Sequence, residues 1–144
     1  MKRFVITLTF VLVSLTVMRA GDRPVTFDKL PHAAQKFIHT YFSSQKVTLA
    51  TMDDDLVRPE YQVNLADGVI IEFENNGKLE KIQDRNGNIP EGIVPGKIID
   101  TVMKYYPDEK IVEYEVGRKS YEVQLSNKVE IQFDSRFNVT EVDN

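Results

Sequence analysis

The stretch "YQVNLADGVIIEFENNGKLEKI" (residues 61–82) is written again as "YEVQLSNKVEIQFDSRFNVTEV" (residues 121–142). At a constant offset of 60, Tyr61, Val63, Leu65, Val69, Ile71 and Phe73 recur as Tyr121, Val123, Leu125, Val129, Ile131 and Phe133. All of them lie on one parity of a period-2 pattern, the signature of an antiparallel sheet with one face buried. What recurs is the core side.

The turns set the register. Pairing Leu65 with Val69, Val63 with Ile71 and Tyr61 with Phe73 puts every apolar side chain on one face. That requires the three-residue loop Ala66-Asp67-Gly68, with glycine last, where a left-handed residue closes the turn. The next turn repeats the device: Phe73 pairs with Leu79 and Glu74 with Lys78 around Asn75-Asn76-Gly77. Two-residue turns would slip each pairing and split the apolar set between faces. Beyond Leu79 the parity fails at Ile82 and at Val142, which predicts a bulge or an early strand end.

Helical patterns precede both meanders at an offset of 64. "LPHAAQKFIHTYF" (30–42) and "VPGKIIDTVMKYY" (94–106) each carry a proline near the start and an aromatic pair at the end. Leu30, Ala34, Phe37, Ile38 and Tyr41 form one apolar stripe; Val94, Ile98, Val102, Tyr105 and Tyr106 form the other. Pro31 and Pro95 fit a first turn, where no backbone donor is missed. Strands are expected at "KVTL" and "KIVEY". The chain thus divides into a lead-in (21–29), a first helix-and-meander unit (30–84), a turn-rich linker (85–93) and a second unit (94–144). The expected fold is α+β: two tandem units with helices on one face of an antiparallel sheet of up to eight strands, joined because separate sheets would leave open edges.

Residues 1–20 read as a signal peptide. Lys2 and Arg3 precede an uncharged, mostly apolar run that is short of the roughly 20 residues a spanning helix needs, and Arg19-Ala20-Gly21-Asp22 ends it. The expectation is an exported chain with no membrane span after cleavage. Removing the segment takes Lys2, Arg3 and Arg19 from the 18 basic residues and leaves 15 against 22 acidic ones, a net charge of −7. Such a surface argues against nucleic acid and anionic lipid as partners. Cysteine is absent, so no disulfide staples the core.

Catalytic chemistry finds no constellation. Glu72, Glu74, Glu130 and Asp134 alternate along solvated strand faces, whereas acid–base pairs need a cleft that shifts one pKa. His32 and His39 stand two helical turns apart, too far to share a metal. Asp53-Asp54-Asp55 and residues 84–92 lack the spacing of a known calcium loop. No cofactor is expected. Lys128 and Phe137 occupy the positions of Gly68 and Gly77, and bulky residues disfavour positive φ. The second turn is therefore expected to change shape. Arg136 and Phe137 then stand on an exposed tip, unless Phe137 folds back against the sheet end.

The opening "LPxAAQKFIxxYF" followed by "YxVxLxDGxxIEFxxxGKLxxI" resembles the β-lactamase-inhibitor-like, PepSY-like domain of secreted Bacteroidetes proteins. The resemblance covers nearly the whole chain after residue 20. It implies a helix packed on an antiparallel sheet, an extracytoplasmic location and inhibitor-like contact with another protein. The candidate contacts are the outward sheet positions Glu72, Glu74, Gln124, Glu130 and Gln132 and the tip residues Arg136 and Phe137. The expected function is a non-enzymatic binding module acting on another extracytoplasmic protein; the alternative is a carrier or sensor of a small ligand or cation.

Overall fold

A computed structural model describes residues 21–53 and 57–144. The expected signal peptide and most of the Asp53-Asp54-Asp55 run lie outside the described residues. The strands are β1 (Arg23–Pro24), β2 (Val47–Met52), β3 (Tyr61–Leu65), β4 (Ile70–Phe73), β5 (Leu79–Gln83), β6 (Ile111–Val116), β7 (Ser120–Leu125), β8 (Glu130–Asp134) and β9 (Val139–Asp143). Helix α1 (His32–Tyr41) joins β1 to β2, and α2 (Gly96–Tyr105) joins β5 to β6. The nine strands of the described residues form one antiparallel sheet in chain order.

The strand count exceeds the expected eight by β1. Its two residues include a proline, so they carry no alternation to read, and only backbone pairing to β2 and the Val25 N–H donated to Ala50 O at 2.9 Å reveal them. Proline suits an outermost strand, because it has no donor to offer a neighbour.

The register follows the apolar parity. Tyr61 faces Phe73, Val63 faces Ile71 and Phe73 faces Leu79, and Tyr121, Val123 and Phe133 repeat the arrangement. Beyond that, the ladder shifts between Glu72 and Phe73, leaving Glu80 as the extra residue of a bulge, and shifts again at Gln132 and Phe133, where Thr140 is the extra residue. The bulge returns Ile82 to the inward face opposite Ile71, where it is fully buried. That resolves the break in parity.

The helices cover this face. Ala34, Ile38, Ile98 and Val102 are buried among Val63, Ile71, Phe73, Ile82, Val123, Ile131 and Phe133 in a single core. Phe37 packs edge-on against Phe73, with centroids 5.5 Å apart. Burying each such side chain contributes about 1.5–3 kcal/mol.

Two expectations are overturned. Tyr105 belongs to the predicted apolar stripe but is 63% exposed, with the Lys104 ammonium over its ring. On α1 the corresponding Tyr41 leans on Phe37 at 4.8 Å, whereas α2 has Thr101 in place of Phe37 and offers no ring to pack against. The turns without glycine also keep their shape. Lys128 has φ +72° and Phe137 φ +64°, beside +92° and +82° at Gly68 and Gly77. The closing bonds match: Gly77 N–H donates to Glu74 O at 2.8 Å, and Phe137 N–H donates to Asp134 O at 3.0 Å. Side chains hold the strained residue in place. The Asp134 carboxylate accepts from Arg136 N–H at 2.8 Å and Asn138 N–H at 2.9 Å, while the Phe137 ring packs on Tyr121 at 5.0 Å.

Candidate functional site

The face opposite the helices is built by the same ladder. One row crosses the sheet as Thr51, Gln62, Glu72, Lys81, Glu115, Glu122, Gln132 and Glu141, each paired with the next. The neighbouring row runs Asn64, Ile70, Gln83, Glu113, Gln124, Glu130 and Asp143. Alternation sends these side chains away from the core, and no position in either row is aromatic. Within these two rows, four carboxylates in the first and three in the second stand with one cation, Lys81.

Lys81 sits at the seam between β5 and β6. Its Nζ lies 2.6 Å from a Glu113 carboxylate oxygen and 3.8 Å from one of Glu115, and both Lys81 and Glu113 are largely buried by their neighbours. Burial works against the charge on Lys81, but its hydrogen bond to Glu113 and the fields of Glu113, Glu115 and Glu72 outweigh it. The ammonium is held above the ordinary lysine value. Gln83 Nε2 also donates to Glu113. Burial, then repulsion from Glu130, Glu115 and Glu113, pushes the Glu122 carboxyl above the usual value, and Lys81 offsets only part of that. Gln124 Nε2 donates to Glu130 at 3.0 Å, and Gln62 Nε2 to Asn64 Oδ1 at 3.0 Å. The Gln62 amide bridges the two rows, whereas the Gln83 and Gln124 amides tie cross-strand neighbours within the second.

Of the candidate contact residues, the structure brings Glu72 and Gln132 into the first row and Gln124 and Glu130 into the second. Glu74 stands apart, beyond the end of β4. It borders an open groove of about 520 Å³ with Glu60, Glu80, Arg58, Lys78 and Arg118. Arg136 is exposed on the last turn, and Phe137 is folded back on Tyr121, half-buried. Counting parity across the bulges, one residue skipped at Glu80 and at Thr140, would have added Lys81, Glu141 and Asp143 to the face. Nothing local announces that β6 brings Glu113 and Glu115 beside Lys81.

Glu80 is the crowded member of the groove. Burial, then the charges of Glu60, Glu72, Glu74 and Glu115, push its carboxyl up to about 6, and its buried Oε2 lacks a hydrogen-bond partner. A cavity of about 30 Å³ near the β1 edge is bordered by Asp22, Asp53, Glu60 and Glu72. Among the described residues, however, no three His, Cys, Asp or Glu side chains form a group that could hold a metal. The carboxylate of Asp84, just before the linker, is buried and occupied locally, accepting from Asn86 N–H at 2.9 Å and Asn88 N–H at 3.3 Å. Among the described residues no helix is long and apolar enough to cross a membrane.

Several solved structures share this fold, three of them from Bacteroides species being clearly similar in sequence. A protein of Bacteroides thetaiotaomicron described as a "putative calcium-regulated periplasmic protein" is 37% identical, with a TM-score of 0.82 over 85% of this chain and 97% of its own. A "putative periplasmic protein" of Bacteroides vulgatus is 37% identical, with a TM-score of 0.80 over 85% of this chain and 97% of its own. A second Bacteroides vulgatus protein, described as periplasmic and of unknown function, is 32% identical, with a TM-score of 0.80 over 86% of this chain and all of its own. No curated protein matches the sequence. Residues 59–141 match the family described as "Putative beta-lactamase-inhibitor-like, PepSY-like", and the chain belongs to that family.

Proposed function

We propose that this protein is a non-enzymatic extracytoplasmic binding module that holds a cationic surface of another protein on its acidic sheet face. The observation that carries the reading is the pair of side-chain rows spanning the sheet, rich in carboxylates, relieved by a single lysine and covered by neither helix. The charge complementarity of such a face governs encounter and partner choice more than raw affinity. Lacking outward aromatic anchors, it relies on breadth and charge rather than on a few hot spots. The periplasmic descriptions of the similar proteins support the location. The matching registers of β3–β5 and β7–β9 support a duplicated scaffold on which the outward residues diverged.

Chemical crosslinking in the native extracytoplasmic fraction tests this, comparing the parent chain with Glu115→Lys/Glu122→Lys/Glu130→Lys. The expected result is a protein captured by the parent and lost from the variant, with capture weakening as salt rises. Equal capture by both chains, or none by either, overturns the proposal. A direct β-lactamase inhibition assay asks whether the family's inhibitor-like description extends to this chain.

A second reading, a sensor or carrier of a small ligand or cation, is favoured by the groove around Glu60, Glu74 and Glu80 and by the calcium-regulated description of one relative. Calcium titration followed by backbone NMR should then move signals around Glu80 first. No shift at millimolar calcium would sink it.

A further inference from the structure

The two ends of the sheet differ. At one end β1 is two residues long and contains Pro24, a blunt edge that offers little to pair with. At the other, β9 is five residues long, exposed throughout, and has no strand beyond it among the described residues. The interior of the sheet shows what such an edge accepts. β5 occupies the corresponding place after β4 that β9 occupies after β8, with the same bulge, and its free side receives β6: Lys81 against Glu115, Ile82 against Tyr114 and Gln83 against Glu113. Under that cover Ile82 is 0% exposed. Its counterpart Val142 faces the same side of the sheet, opposite Ile131, yet stays 44% exposed.

We propose that the β9 edge takes an antiparallel strand from a partner protein, an extended segment in which an aromatic or aliphatic residue is flanked by two cationic ones. The incoming apolar residue takes Tyr114's place opposite Val142 and covers it on the helix side. The flanking residues lie opposite Glu141 and Asp143, where the β5 positions hold Lys81 and Gln83. The charge on the acceptor strand is thus inverted between the two edges, and the charge on the guest must invert with it. Main-chain hydrogen bonds supply affinity in such strand addition, and alternate side chains supply choice. A second copy pairing β9 with β9 would crowd these acidic residues against one another, and like charges placed opposite across a ladder are destabilising. The inference rests on the acidic-face reading and deepens it, because the guest strand would extend both carboxylate rows by one cationic member.

The test uses the purified protein and two synthetic octapeptides, valine and tyrosine alternating with lysine in one and with glutamate in the other. The lysine peptide should bind at low ionic strength, and hydrogen exchange of the β9 amides should slow by about tenfold or more. N-methylation of alternate peptide amides should abolish binding in one set and spare it in the other, since a strand presents one edge. Glu141→Lys with Asp143→Lys should transfer preference to the glutamate peptide. Failure of the lysine peptide to bind overturns the inference. So does binding that tolerates both methylated sets and leaves β9 exchange unchanged. If that binding is lost in Glu115→Lys/Glu122→Lys/Glu130→Lys, the acidic face survives and only the edge fails. Edge binding that persists while crosslinked capture is the same in both chains would instead sink the face reading. A peptide-free dimer with protected β9 amides would overturn the inference in favour of a second copy.

Discussion

Gly68 and Gly77 do the same conformational work in different surroundings. Both have φ near +90°, but a Cβ at Gly68 would meet nothing within 4 Å, whereas at Gly77 it would lie 2.8 Å from the Ala34 backbone N and 2.9 Å from Pro31 Cβ. Gly68→Ala should therefore cost about 1 kcal/mol of left-handed strain. Gly77→Ala should cost about 3 kcal/mol, because the start of α1 must also retreat. Urea denaturation of the two variants checks the order, and equal costs would refute the packing argument. Glu80 makes a second prediction. Its folded pKa of about 6 lies above the ordinary carboxyl value of 4.5, so the folded state holds the proton more tightly. The stabilising contribution is present below pH 4.5 and is lost as pH rises through 6. Glu80→Gln should be more stable than the parent at pH 7.5 by up to about 1 kcal/mol, screening by water reducing the gain. The advantage should vanish at pH 4. Thermal melts at the two pH values measure it, and a pH-independent difference would count against crowding as the cause. The strained Phe137 was legible as an anomaly because it stands where the first meander has Gly77; that its ring would find Tyr121 was not, because that contact joins β7 to the last turn.

Between elements, the seam of β5 and β6 is the place where the two meanders meet, and Lys81 stands on it. Removing its ammonium strips Glu113, itself largely shielded from water, of the cation 2.6 Å away and leaves the Gln83 amide donating to it. Lys81→Ala is expected to destabilise the fold by about 2 kcal/mol, less than a fully buried pair would cost. Lys81→Met, which keeps the stem but not the charge, should recover only part of that loss if charge, rather than packing, is the main contribution. Denaturant midpoints of the two variants separate the cases. Most elements were readable as local patterns: both helices, the three-residue turns and the inward register follow from spacing. β1 was not, since two residues have no period. Nor was the exposure of Tyr105, which depends on Thr101 standing where α1 has Phe37.

For the whole molecule, one sheet and one core imply one cooperative unit, although the chain writes its pattern twice. Calorimetry should give a single transition whose van't Hoff and calorimetric enthalpies agree. Two resolved transitions would mean that the seam is weaker than the ladder implies. The sequence by itself determined the inward face, the turn positions, the acidic balance and the absence of cysteine, because alternation, glycine spacing and composition are local properties of the chain. Only the tertiary structure decided that the meanders join through β5 and β6, that Glu113 and Glu115 close around Lys81, and that β9, among the described residues, keeps a half-exposed valine and an open edge. Those outcomes depend on which strand lies beside which: β5 and β9 end meanders of the same register, and only β5 has a strand beside it to cover its inward residue.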